Sequence, residues 1–233
     1  MSAQSTGRLT FLGSGTSQGV PVIACLCPTC QSHNPKDQRL RASVLVELPG
    51  LVLGIDAGPD FRAQMLREKV QHLDAILLTH EHKDHIAGLD DIRAFNYKRQ
   101  DHFPVYCTPK VEQALKREFY YAFEADPYPG VPRFAIHHMD KGSVQIGAHS
   151  FEAVEVWYHK MQVLGFRFGK LAYITDAKTI TPEEKEKLQG LDILIINALH
   201  EFPHPSHFNL AEALQLIEQL KPKHSYLTHI SHL

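Results

Sequence analysis

Residues 77–89 read Leu77-Leu78-Thr79-His80-Glu81-His82-Lys83-Asp84-His85-Ile86-Ala87-Gly88-Leu89, and they decide the fold. An apolar strand, Ala75–Leu78, runs into four metal-ligating side chains within six positions: His80, His82, Asp84 and His85. Imidazole and carboxylate together suit zinc, iron or manganese. Residues two apart on an extended turn share a side, so His80 and His82 converge on one ion. Asp84 and His85, at the start of a helix, aim at a second. A lone histidine in a polar loop reads as a solvated side chain. Four donors directly after a buried strand read as a metal motif.

Outward from this motif, short apolar runs alternate with turn signals. Arg8–Leu12, Ser43–Leu48, Leu51–Ile55, Val105–Cys107, Val144–Ile146, Phe151–Val156, Leu164–Phe168, Leu171–Ile174, Ile193–Ile196 and Ser225–Leu227 read as strands. Helical patterns cover Asp60–Glu68, Lys110–Phe119, Pro182–Leu188 and Leu210–Leu220. Thr181-Pro182-Glu183-Glu184 places a cap, an N1 proline and first-turn carboxylates in helix-starting order. Both halves mix hairpins with βα units, so residues 1–233 read as one α/β domain. Two sheets packed face to face with helices outside satisfy this order. A three-layer doubly wound sheet satisfies it equally.

The chain has 24 basic and 26 acidic residues, a net charge of −2, which leaves no electrostatic footprint for nucleic acid or an anionic membrane. Its apolar runs are strand-length rather than membrane-spanning, and MSAQSTGRLT lacks the apolar core of a signal peptide. The expected compartment is the cytoplasm, where clustered cysteines bind metal more often than they form disulfides. Three of the four cysteines crowd into Ala24-Cys25-Leu26-Cys27-Pro28-Thr29-Cys30. Three thiolates need one more ligand to close a tetrahedral structural zinc. Either one thiol is idle or a fourth ligand lies far away in the sequence. Cys107, inside an apolar strand, reads as a buried small hydrophobe. The loop Gly13-x-Gly15-x-x-x-Gly19 has the wrong spacing for a dinucleotide fingerprint and reads as a tight turn.

His80-x-His82-x-Asp84-His85 followed by Gly88-Leu89 resembles the signature of the metallo-β-lactamase fold hydrolases. Phe11-Leu12-Gly13-Ser14-Gly15-Thr16-Ser17-Gln18-Gly19-Val20-Pro21 with Cys25-x-Cys27-x-x-Cys30 resembles the opening of the PhnP-like cyclic-phosphate phosphodiesterases. Ile55-Asp56-Ala57-Gly58, His159-Lys160, Ala172-Tyr173-Ile174-Thr175-Asp176 and Leu227-Thr228-His229-Ile230-Ser231-His232 resemble the later motifs, in family order over residues 8–233. The resemblance implies a four-layer αββα sandwich of the metallo-β-lactamase type. It also implies two divalent ions, of zinc or of manganese or iron. His80, His82 and His159 would hold the first, Asp84, His85 and His229 the second, and Asp176 would bridge. Asp84 counts among the catalytic residues as well as the ligands. Read alone, Asp176 is as good a turn cap as a ligand, and His159 and His229 are ordinary core or rim histidines. Asp56 falls outside the ligand set, as a residue that orients a metal-bound histidine or holds its turn.

His207, in Ser206-His207-Phe208-Asn209-Leu210, is the candidate general acid by the same resemblance. The local alternative makes Asn209 a helix cap and His207 a loop residue. For the cysteines the resemblance favours His232 as fourth ligand, three residues after His229, so that one segment feeds both metal sites. The implied reaction is phosphodiester hydrolysis of a small, cyclic or linear, substrate by a metal-bridging hydroxide. Two rivals share the motif: a tRNA 3′-processing endonuclease, for which the chain lacks a Gly/Pro-rich arm and a basic surplus, and a non-catalytic cofactor-biosynthesis accessory protein. Relatives of this type continue past the Leu-Thr-His-Ile-Ser-His segment, so a short C-terminal segment is expected beyond Leu233. The expected partner is a small-molecule phosphodiester, with no membrane and no nucleic acid; a homodimer is compatible with such a chain.

Overall fold

The Val-, Ile- and Leu-rich runs form twelve strands among residues 7–233, which the computed structural model describes. They divide between two compact units. One is built from residues up to Gly13 and from Ser43–Met139; the other comprises Ser14–Ala42 and Asp140–Leu233.

In the first unit β1 (Arg8–Gly13), β2 (Ser43–Leu48), β3 (Leu51–Ile55), β4 (Ala75–Leu77), β5 (Phe103–Cys107) and β6 (Phe134–His138) form one sheet in that order. The first three strands are an antiparallel meander, and β3 to β6 run parallel. Parallel neighbours need crossovers. Helices α1 (Phe61–Arg67), α2 (Lys83–Ile86), α3 (Arg93–Arg99) and α4 (Pro109–Glu118) lie in those connections. The Thr108 hydroxyl accepts the Val111 N–H, and Pro109 occupies the first turn, so α4 starts where its sequence says it should. Phe61, Met65, Val111 and Leu115 pack with Leu45, Ile76 and Val105 in one core. Each such side chain contributes roughly 1.5–3 kcal/mol by leaving water.

In the second unit, too, strands that follow one another in the chain are neighbours in the sheet. Its strands are β7 (Gly142–Ile146), β8 (His149–Tyr158), β9 (Met161–Phe168), β10 (Leu171–Ile174), β11 (Ile193–Asn197) and β12 (His224–Thr228). β7 to β10 are antiparallel, whereas β10, β11 and β12 are parallel. Helix α5 (Pro182–Glu186) begins with the expected Thr181 cap, and α6 (Leu210–Leu220) begins with an Asn209–Glu212 capping box. Val154, Ile174, Leu194 and Leu216 share the unit's own core.

Residues 134–138 and 93–99 were not expected to form regular elements, and α2 starts only after His82. β6 has no buried position in its own right, and α3 is short and mostly exposed, so neither carries a strong periodic signal. Among the described residues no helix is long and apolar enough to cross a membrane.

In both units several parallel strands end just before candidate ligands or their support: β3 leads to Asp56, β4 to His80, β10 to Asp176 and β12 to His229. Eight described non-glycine residues have left-handed backbone, and Asp56 (φ 63°), His159 (53°), Asp176 (54°) and His229 (54°) are four of them. Such strain concentrates at functional turns because only a well-determined surrounding holds it.

Candidate metal centres

In the first unit the loop after β3 is zipped to the histidine-rich loop. The Ala57 N–H donates to the His85 carbonyl and the Gly88 N–H to the Ala57 carbonyl, both at 2.8 Å. The contact has no room for side chains. A Cβ on Gly58 would lie 1.9 Å from the Asp84 carbonyl oxygen, and one on Gly88 2.0 Å from that of Gly58.

This zipper delivers Asp56, fully buried, beneath the histidines. His85 Nδ1–H donates to Asp56 Oδ2 at 2.6 Å. The Thr79 N–H donates to Oδ1 at 2.9 Å, and the Thr79 hydroxyl donates to the same carboxylate. That hydroxyl has only one proton, so it accepts from His80 Nδ1 at 2.9 Å. One carboxylate thus sets the tautomers of His85 directly and His80 through Thr79, leaving each Nε2 as the lone-pair nitrogen. Burial pushes the Asp56 carboxyl up, while His85 and Thr79 pull the other way. His85 Nε2 and Asp84 Oδ2 then face each other at 3.1 Å, two acceptors whose arrangement suits a cation. The His80 ring lies 4.6 Å from that of His82, at the start of α2, and 4.2 Å from that of His85. The first unit therefore gathers the histidines and carboxylate expected of it.

In the second unit Asp176 is the hub. Its Oδ2 accepts the Thr175 hydroxyl at 2.7 Å, and its Oδ1 lies 3.0 Å from His207 Nε2 and 3.2 Å from His229 Nε2. The His207 and His229 rings stack at 4.9 Å, and the Tyr158 ring meets His207 edge-on at 4.8 Å. His207 is 6% exposed, and Asn209 caps α6, as the local reading of this segment has it. His204 is half-buried with Nδ1 3.2 Å from His207 Nδ1; burial, then His207, lowers its pKa. His159 is exposed at the tip of the β8–β9 hairpin and does not join the donors around Asp176. Thr79, Thr175, Tyr158 and His204 carried no sequence signal for these roles; each acquires its partner from the fold.

The cysteines form a separate constellation within the second unit. Cys25, Cys27, Cys30 and His232 place one donor atom each within 4.8 Å of all the others. His232 Nδ1 lies 3.4 Å from Cys25 Sγ and 3.3 Å from Cys27 Sγ. Tetrahedral bonds of ~2.3 Å to sulfur and ~2.0 Å to nitrogen put such donors about 3.5 Å apart, so the set fits a closed zinc-type site. The Cys30 N–H donates to Cys27 Sγ, and the Val22 N–H to Cys30 Sγ. Hydrogen bonding to His232, helped by the Cys30 amide, brings the Cys27 thiol down to about 6, whereas burial pushes Cys30 up. Cys107 is fully buried on β5, with its thiol pushed up to about 12 by desolvation, as an apolar core residue should be. The Gly13–Gly19 loop is a turn with a precise neighbour: the Ile230 N–H, beside His229, donates to the Ser14 carbonyl at 2.8 Å.

The family model "Beta-lactamase superfamily domain" matches residues 53–230. The crystal structure of a new diphosphatase from the PhnP family superposes with a TM-score of 0.91 at 42% identity, over 97% of this chain and 88% of that one. Two six-stranded sheets with helices are thus the α/β metallo-β-lactamase fold that was expected. A Porphyromonas gingivalis octanoyltransferase is 37% identical over 97% of this chain, which spans only 46% of that protein. Coenzyme PQQ synthesis protein B of Methylorubrum extorquens is 28% identical, over 82% of this chain and 72% of its own.

Proposed function

Because the chain belongs to the beta-lactamase superfamily, on its PhnP-like branch, we propose that this metal-binding hydrolase is a phosphodiesterase acting on small phosphodiesters, cyclic ones among them. The observation that carries the proposal is His207, buried and held by Asp176 at 3.0 Å, a positioned proton donor for a leaving alkoxide. We assign His80, His82, His159, Asp84, His85, His229 and bridging Asp176 to two divalent ions, zinc or manganese or iron, and Cys25, Cys27, Cys30 and His232 to a structural zinc. When bound, two such ions polarise phosphoryl oxygens and lower the pKa of coordinated water.

The chain's own residues do the rest. His207 carries a proton at Nε2 and gives it to the departing oxygen, with the Tyr158 ring packed against it at a right angle. Asp56 fixes His85 directly and His80 through Thr79, so their ligating nitrogens need no reorganisation. The near-neutral charge suits a small substrate better than a polynucleotide.

A second reading, cleavage of a diphosphate linkage, is favoured by the relative described as a diphosphatase; the same acid and metals would serve a P–O–P bond. The PQQ synthesis relative supports an accessory role as the rival reading, but a buried, positioned His207 is more than such a role needs. A turnover panel on the metal-replete protein tests all of these: bis(p-nitrophenyl) phosphate, ribose cyclic phosphates, a diphosphate diester, precursor tRNA, a β-lactam, and glutathione and octanoyl thioesters. Phosphodiester turnover that vanishes on exhaustive chelation and returns with metal is expected. Turnover of thioesters alone, or full activity with metal analysis showing none bound, would overturn the proposal.

A further inference from the structure

Strands β10, β11 and β12 end side by side, and the outer two hand on to candidate ligands. β10 leads through Thr175 to Asp176, and β12 leads to His229. The middle strand ends in Asn197, a fully buried amide rather than a carboxylate or imidazole. Its backbone is in register with Thr228, the residue before His229, and the next amide, Ala198 N–H, donates to the Thr228 carbonyl at 3.0 Å.

The side chain turns the other way, toward the exit of β10. Asn197 Oδ1 accepts the Ala177 N–H at 2.8 Å, and Asn197 Nδ2 donates to the Ala177 carbonyl at 3.0 Å. Both polar groups of the Asn197 side chain are therefore held by the two backbone polar groups of one residue, which belong to successive peptide units. Ala177 follows Asp176, whose φ of 54° is a conformation that an L-residue keeps only when its surroundings over-determine it. The same Ala177 carbonyl also accepts the Phe208 N–H at 2.7 Å, and Phe208 follows His207. Ala177 is thus the point at which the hub carboxylate and the acid-bearing loop meet, and Asn197 grips it.

We infer that Asn197 is a positioning residue, which fixes Asp176 and His207 relative to each other through Ala177 while its own strand borders the segment leading to His229. The inference rests on reading Asp176 as a metal ligand. A purely structural asparagine would support the fold without setting the ligand field, and the two roles separate experimentally.

Metal-free wild type, Asn197→Ala and Asn197→Asp are titrated with cobalt(II), following the visible d–d spectrum and the affinity against a competing chelator. Thiolate-to-cobalt absorption from Cys25, Cys27 and Cys30, together with circular dichroism, monitors the fold. The alanine variant is expected to stay folded, keep the thiolate band, bind cobalt outside the thiolate site about 10–100-fold more weakly and show an altered d–d envelope. Asn197→Asp retains at least the acceptor for the Ala177 N–H, so it should fall between alanine and wild type. Wild-type spectrum and affinity in both variants overturn the inference alone, as does failure of both to fold. A wild-type chain that takes up no cobalt besides the thiolate site overturns the underlying reading of Asp176 as well.

Discussion

Replacing Asp56 with asparagine removes a charge and almost no volume, so its effect reports on hydrogen bonding rather than packing. The variant's remaining oxygen can still accept the Thr79 N–H, which lies 2.9 Å from Oδ1. Its NH₂ group, however, would replace the Oδ2 that accepts His85 Nδ1–H at 2.6 Å and the Thr79 hydroxyl at 2.9 Å. To avoid two donors in contact, His85 must move its proton to Nε2, the nitrogen that faces Asp84. The ligating lone pair is then lost unless the imidazole pays to switch back. Outer partners of this kind are worth about 10–100-fold in metal affinity, or about 1.4–2.8 kcal/mol. Competition with a chelating dye, run beside denaturant unfolding of the metal-free protein, measures both consequences. The expected result is weaker metal binding, with activity recovered in excess metal. If Asp56→Asn binds metal as tightly as the parent and only unfolds more easily, Asp56 holds its turn and nothing more.

His207→Ala should lower turnover by about 10²–10⁴-fold while leaving metal content intact, and the loss should shrink with nitrophenolate leaving groups; equal loss for every leaving group would make His207 a binding residue. His232→Ala should release roughly one equivalent of zinc and lower the melting temperature, whereas Cys107→Ala should retain that zinc; metal analysis of the two variants decides, and the reverse pattern would disprove the assignment. Gly58→Ala should be severely destabilising, because its Cβ would sit 1.9 Å from the Asp84 carbonyl oxygen. A wild-type melting temperature and metal content in that variant would show that the zipper beneath Asp84 yields easily.

The donors His80, His82, Asp84 and His85 were legible because one strand exit presents all four within six positions, and the strands because their apolar runs are bounded by turns. Asp56 was legible as a supporting residue, though not its grip on two histidines, since the second runs through Thr79. Asn197 gave no sign at all. Its partner Ala177 is 20 residues away and becomes a neighbour only when β10 and β11 pair in register. Tyr158 and His204 were equally silent, as their meaning lies in ring contacts that the β8–β9 hairpin and the loop before α6 create. Local periodicity records which face of an element is buried; it does not record which element ends beside which.

The left-handed turns at Asp56, His159, Asp176 and His229 bear on how such a chain can change. Each costs of the order of 1–3 kcal/mol, a large fraction of what holds an ordinary domain together. Glycine relieves that backbone cost at any of the four positions, most cleanly at exposed His159, so selection for heat resistance alone favours it there. The same replacement deletes a side chain assigned to the metal chemistry. A lineage of this protein that adapts to warmth while keeping its activity must therefore gain stability elsewhere, in cores and surfaces, and carry these four turns forward unrelaxed.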